Sequence, residues 1–315
     1  MEKELDLVKG ILQGQILSIT KSITAVENNT LQTNLLMREV SKYIGKGYRV
    51  GITGPPGAGK STLISKLAKH LTGQDQQVAI LAIDPTSPFT GGAFLGDRIR
   101  MQEIMTDPNV FIRSMASRGS LGGLSKKTRE AIDILDAGGF KTILIETVGV
   151  GQAELDIASE ADTTILVLTP TSGDEIQANK SGIMEIADIL VVNKADNPGC
   201  DRFITGLRNA LSLGNPATKK PEIIKSVATE NKGIEDIIKA IAKQRIYLEQ
   251  SSLLNQKRET RLSNRIHELV DHHLKTQFWT QDKEGFLKSK LPEILEQKTS
   301  IYDVFNQLIQ ETQNP

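Results

Sequence analysis

Eight consecutive residues carry the densest chemistry in this chain: Gly54-Pro55-Pro56-Gly57-Ala58-Gly59-Lys60-Ser61. Their spacing is G-x-x-x-x-G-K-[ST]. The run follows an apolar stretch that reads as a strand, Tyr48–Thr53, and opens a helical pattern marked by Leu63, Leu67 and Leu71. That is the setting this loop requires. Glycines let successive backbone N–H groups turn inward around phosphate oxygens, and the helix N-terminus adds favourable partial charge. Lys60 is placed to reach the β- and γ-phosphates and to serve catalysis, and Ser61 to ligate Mg2+. Thr62 follows in the same first turn, so residues 54–62 form one expected nucleotide-binding segment.

Two more motifs stand at strand ends. Asn193-Lys194-Ala195-Asp196 closes the apolar run Ile189–Val192, where ligands gather in open α/β sheets. The pattern N-K-x-D resembles the base-recognition motif of GTPases. In that motif a carboxylate accepts from the N1–H and exocyclic amino group of guanine, adjacent donors that adenine lacks. Asp196 is expected to read the base, Asn193 to hold the loop, and the Lys194 stem to cover the ring. Ser226-Val227-Ala228, after the next strand, resembles the weaker S-A-x element beside the base. Glu146-Thr147-Val148-Gly149 corresponds to D-x-x-G with Glu in place of Asp. Glu146 would hold Mg2+, directly or through water, and the Gly149 N–H would sense the γ-phosphate. Ras-like GTPases place a water-orienting Gln directly after this Gly. Here that position is Val150, and Gln152, two residues further on, is the candidate for the role. Slow intrinsic hydrolysis, raised by a partner, is the expectation. The nucleotides expected are GTP and GDP with Mg2+. An ATP-using kinase or transport-associated ATPase is the alternative, and Asn193–Asp196 argues against it.

These motifs need a scaffold that brings strand ends together. The apolar runs Tyr48–Thr53, Gln77–Ile83, Lys141–Glu146, Thr163–Thr169, Asp188–Asn193 and Glu222–Val227 alternate with helical stretches. Most are continuous rather than alternating, which suits parallel strands covered on both faces. The pattern predicts an α/β fold, a doubly wound and mostly parallel sheet over residues 47–232, with right-handed crossovers. Residues 1–46 read as an N-terminal helical extension, with Leu5, Val8 and Leu12 on one face. Residues 233–315 read as a C-terminal helical region, with stripes such as Leu262, Ile266, Leu269 and His273.

Composition narrows the class. The 315 residues hold 38 Lys and Arg against 38 Asp and Glu, so no basic excess points to nucleic acid. The single cysteine, Cys200, allows no intrachain disulfide. No window approaches the roughly 18 apolar residues of a membrane span, and the acidic start, Met1 to Asp6, lacks the basic and apolar regions of a secretory signal. The expected compartment is the cytoplasm, with no membrane partner. His272 and His273 are adjacent and project to different sides of a helix, so they are not read as a metal pair.

Longer strings carry a family resemblance. Ile83 to Met101, Arg113 to Gly119 with Leu121 to Ser125, and Glu146 to Glu154 resemble the ArgK/MeaB family of G proteins. The likeness covers about residues 10–250 and thins through the C-terminal helices. The Glu at position 146 is that family's own pattern. The resemblance implies a GTPase that chaperones an adenosylcobalamin-dependent acyl-CoA mutase of the methylmalonyl-CoA mutase type, gating cofactor loading and protecting the enzyme. It implies a homodimer held largely by terminal helices. It implies Mg2+-site carboxylates at Asp84, Asp97 and Glu146, with Asp97 and Glu146 serving catalysis. It also implies a partner-contacting loop containing Asp174, Gln177 and Lys180. Arg98, Arg100 and Arg118 lie in the glycine-rich stretch 86–124, and the sequence does not single one out as reaching the γ-phosphate.

Overall fold

The structure, a computed structural model, describes residues 2–28, 30, 33–74, 76–84, 101–116, 126–147, 152–170, 183–213 and 219–310. The apolar runs become seven strands: β1 (Tyr48–Thr53), β2 (Val78–Asp84), β3 (Val110–Ala116), β4 (Thr142–Thr147), β5 (Thr163–Leu168), β6 (Ile189–Val192) and β7 (Glu222–Lys225). All pair in parallel, in the order β3-β2-β4-β1-β5-β6-β7. The central strand β1 lies between β4 and β5, with Ile52 beside both Glu146 and Ile165.

Alternate residues of each strand enter opposite layers, and both layers are apolar. Val50, Ile52, Leu144, Ile165 and Val191 face one core together with Leu63, Leu67 and Ile237. That layer is built by α4 (Lys60–Thr72) and α8 (Ile234–Gln250). Ile143, Ile145, Ala79 and Leu81 face a second core with Ile19, Ile23, Ile132 and Leu135. It is covered by α5 (Lys126–Ala137) and, outside it, by α1 (Glu2–Leu12), α2 (Ile16–Glu27) and α3 (Thr33–Val40). Leu166, Leu168, Leu190 and Val192 pack under α7 (Cys200–Leu213). Burial on both faces is why the strands read as continuous apolar runs. α6 (Gln152–Glu160) lies so close to β1 that a Cβ on Gly51 would stand 2.9 Å from Ile157 Cγ1.

Two features depart from the sequence expectation. β3 was absent from the predicted strands. It is an edge strand whose apolar run is broken by Arg113 and Ser114, and Arg113 pairs with Glu27 of α2. The sequence also suggests a helical stretch over Asp97–Met105, of which only the part from Met101 onward is described. There a single 3₁₀ turn, Gln102–Ile104, buries Met101 and Ile104 against α4.

Compactness divides the chain into residues 1–254 and 255–315. The division falls later than the expected boundary after 232, because Ile234, Ile237, Ala240 and Leu248 of α8 belong to the sheet's core. The expected boundary after residue 46 separates no compact unit, since α2 packs on α5. The second unit holds most of α9 (Leu253–Phe278), then α10 (Gln281–Leu295) and α11 (Ile301–Gln310). Within it Phe278 and Trp279 meet edge to face, and the Lys283 ammonium lies 3.9 Å from the Phe278 ring centre. No described helix is long and apolar enough to cross a membrane.

Candidate functional site

Residues 54–59 turn from β1 into α4 with three left-handed glycines, at φ +139° for Gly54, +78° for Gly57 and +90° for Gly59. The turn admits no side chain at two of them. A Cβ on Gly54 would lie 2.0 Å from the Val167 carbonyl oxygen, and one on Gly59 would lie 2.4 Å from Asn193 Nδ2. No side chain caps α4 at Gly59, so its first N–H groups face the loop, the arrangement that binds phosphate. Lys60 is buried, and its ammonium donates to the carbonyls of Gly54 at 2.7 Å and Pro55 at 3.1 Å. The positive charge therefore sits inside the loop. Ser61 Oγ donates to Glu146 Oε1 at 2.8 Å, joining the loop's helix to the end of β4. A hydroxyl and a carboxylate beside a phosphate loop form the hard-oxygen donor set that suits Mg2+.

The second half of the site hangs on Asn193, which is buried just past β6. Its Nδ2 donates to the Ala58 carbonyl at 2.8 Å, and its Oδ1 accepts from Ser226 Oγ and the Ala228 N–H, both at 3.1 Å. One carboxamide thus ties the phosphate loop to the loops after β6 and β7. Lys194 adopts φ +55°, a conformation rare outside glycine and found where function fixes the chain. The Ala195 N–H then donates to the Ser226 carbonyl at 3.0 Å. Between these loops lies a cavity of about 260 Å3, lined by Gly59, Thr62, Lys194, Asp196, Val227 and Ala228 among others. Lys232 pairs with Glu230 at 2.6 Å; that carboxylate holds its ammonium above the usual lysine range, and Asp196 adds in the same direction.

Comparison with known proteins agrees with this geometry. The family described as "methylmalonyl Co-A mutase-associated GTPase MeaB" matches residues 19–283. The chain belongs to the MeaB family of GTPases. A relative in Pyrococcus abyssi is 44% identical over 310 residues, covering 97% of this chain and 96% of that one. The mouse mitochondrial methylmalonic aciduria type A homolog is 36% identical over 296 residues, covering 86% of this chain and 71% of that protein. A crystal structure titled LAO/AO transport system kinase shares the fold, with a TM-score of 0.76 at 24% identity over 99% of this chain and 98% of that one. The protein is a P-loop GTP hydrolase.

For this MeaB-family chain, the structure gathers most of the sequence-predicted nucleotide residues at one rim of the sheet. Gly54, Pro55, Pro56, Gly57, Ala58, Gly59, Lys60, Ser61 and Thr62 form one wall, and Asn193, Lys194, Asp196, Ser226, Val227 and Ala228 form the other. Glu146 joins the first wall. Asp84 ends β2, one residue past the pairing of Ile83 with Thr147, so its backbone lies at the same rim. Gln152 opens α6. Asp97, Gly149, Asp174, Gln177 and Lys180 lie outside the described residues. Asn197 and Thr229 also line the cavity, and no motif marks them. Nor does any motif mark Thr53 and Thr147, both fully buried, whose hydroxyls bond at 3.0 Å at the ends of β1 and β4.

Proposed function

We propose that this GTPase acts as a chaperone for an adenosylcobalamin-dependent acyl-CoA mutase of the methylmalonyl-CoA mutase type, coupling GTP hydrolysis to assembly, cofactor loading and protection of that enzyme. The observation that carries the reading is the match of residues 19–283 to a family described by its association with methylmalonyl-CoA mutase. The likeness to the mouse methylmalonic aciduria type A homolog supports it.

The proposed nucleotide contacts run over Gly54 to Thr62, with Lys60 on the β- and γ-phosphates and the N–H of Gly149 at the γ-phosphate. Asp196 reads guanine, the Lys194 stem covers it, and Asn193 with Ser226, Val227 and Ala228 shapes the pocket. Ser61, Glu146, Asp84 and Asp97 are the proposed Mg2+ ligands. Bound there, Mg2+ would neutralise charge on the β- and γ-phosphate oxygens. Lys60 holds the terminal phosphate, Glu146 and Asp97 orient the reacting end of the nucleotide, and Gln152 positions the attacking water. Asp174, Gln177 and Lys180 are the proposed contacts to the mutase.

We place the protein in the cytoplasm, as a homodimer joined through its C-terminal helices. Leu262, Ile266 and Leu269 of α9 are 42–61% exposed, an apolar stripe that suits a second copy. A full-length chain that sediments as a monomer at micromolar concentration refutes the dimer.

The central test is phosphate release from GTP and from ATP with Mg2+, with and without purified methylmalonyl-CoA mutase from the same source. GTP-selective turnover that rises with the mutase is expected. Turnover indifferent to the mutase removes the client assignment and leaves the GTPase. Preference for ATP overturns the base assignment and favours an ATP-using kinase or transport-associated ATPase.

A further inference from the structure

The hydroxyl pair Thr53–Thr147 lies where the site's two strands part. Backbone pairing between β1 and β4 ends at Ile52 and Glu146. One residue on, Thr53 pairs with Leu166 of β5 and Thr147 with Ile83 of β2, but the β1–β4 ladder does not continue between them. At that step the Thr147 hydroxyl donates to Thr53 Oγ1 at 3.0 Å, with both residues fully buried. The bond therefore extends the register one residue beyond the ladder. Each partner adjoins a group of the site. Gly54, next to Thr53, supplies the carbonyl that accepts from Lys60 at 2.7 Å. Glu146, next to Thr147, supplies the oxygen that accepts from Ser61 at 2.8 Å.

We propose that Thr53 and Thr147 are positioning residues for GTP hydrolysis: their mutual hydrogen bond holds the Lys60 loop and the Glu146 carboxylate in register at the ends of β1 and β4. This rests on the reading of Glu146 as a Mg2+ ligand. On each strand the next residue inward sets a different layer, since Ile52 faces the α4 core while Thr53 and Thr147 alternate to the other side. Each threonine hydroxyl is engaged with the other, and each acts on the site through its chain neighbour. β-Branched residues suit a strand end with or without the hydroxyl. Threonine at both positions adds a directional bond that valine lacks. Catalytic geometry is sensitive at this scale, since a shift of about 1 Å can cost about 100-fold in rate.

The test uses the full-length protein with Thr147→Val, Thr53→Val, the double variant, and Thr147→Ser as the rescue. Three quantities are read: kcat, the Mg2+ concentration giving half-maximal turnover, and the Mg2+-linked gain in affinity for a fluorescent GDP analogue. Each valine variant should lower kcat about 10-fold. It should raise the half-saturating Mg2+ several-fold, shrink the Mg2+-linked affinity gain, and leave affinity without Mg2+ within about twofold. The double variant should be no worse than either single, because one shared bond is lost once. Thr147→Ser should recover most of the activity. Additive losses, or valine variants within twofold of the parent in all three quantities, overturn the proposal. Glu146→Gln is the control for the underlying reading. If it leaves the Mg2+ linkage intact, the metal assignment fails; if it abolishes the linkage while Thr147→Val does not disturb it, only the positioning role fails.

Discussion

The two ends of the sheet bury polar groups in opposite ways. At the amino ends of the strands, the Arg49 guanidinium is 6% exposed, with Asp133 at 2.9 Å, Asp136 at 3.5 Å and Glu160 at 3.7 Å. Burial alone would lower its affinity for a proton, but these carboxylates outweigh it and hold Arg49 above its usual range. Asp136 also accepts from the N–H groups of Gly45, Lys46 and Gly47 at 2.8–3.0 Å, which pins the chain entering β1. Charge there is matched by charge. At the carboxyl ends, Lys60 donates to carbonyls, Ser61 to a carboxylate, and Asn193 bridges three loops. A buried ammonium that donates to neutral carbonyls retains its attraction for an anion, whereas a cation ringed by carboxylates does not. The first arrangement fastens helices to strands, and the second is suited to phosphate.

Arg49→Ala should give the largest effect. It removes the buried cation shared by Asp133, Asp136 and Glu160, of which Glu160 still pairs with Arg129 at 2.9 Å, and should lower stability by about 3–5 kcal/mol, read from urea unfolding; a loss under about 1 kcal/mol removes the contrast between the two ends. Lys60→Ala should do the reverse. GTP affinity should fall about 100-fold, roughly 2.7 kcal/mol, with little change in unfolding midpoint, and unchanged affinity in a titration refutes the phosphate assignment. Asp196→Asn should weaken GTP by a similar factor while favouring xanthosine triphosphate, because a carboxamide donates where the carboxylate accepts. Continued preference for GTP in a competition assay defeats the base assignment. The smallest effect belongs to the exposed pair Lys225–Asp201. The Lys225 ammonium holds the Asp201 carboxyl below its usual range. That contribution is present above the unfolded carboxyl's pKa and is lost as pH falls through the folded value. Asp201→Asn should shift the melting temperature by less than about 1 °C at pH 7, with the difference vanishing in acid. A shift of several degrees would make this surface pair structural.

The site's legibility follows from how local its signals are. Gly54 to Ser61 are contiguous, and each glycine answers a turn that a Cβ would block, so the loop could be read directly. Asn193 could be assigned a holding role from N-K-x-D, but its reach to Ala58 depends on β6 lying two strands from β1. The Thr53–Thr147 contact was invisible because it depends on β4 inserting between β2 and β1, an order no linear pattern states. β3 escaped for the opposite reason. As an edge strand it carries Arg113 within its run, so its periodicity was weak although its pairing with β2 is complete. The helices of residues 1–46 and 233–310 were legible from their stripes, but which of them join the sheet was not. α8 and α9 both show apolar periodicity, and only packing separates the buried Ile237 from the exposed Ile266.

The bond from Asn193 to Ala58 spans 135 residues. During synthesis the phosphate loop leaves the ribosome long before its anchor exists, and the Ser226 and Ala228 groups that orient that anchor come later still. Domains assemble from the N-terminus while such long-range contacts wait for the chain to be made. A nascent chain halted before position 226 has a complete phosphate-loop sequence and an incomplete clamp. The clamp on the phosphate loop is thereby complete only after β7 and the loop that follows it have been made.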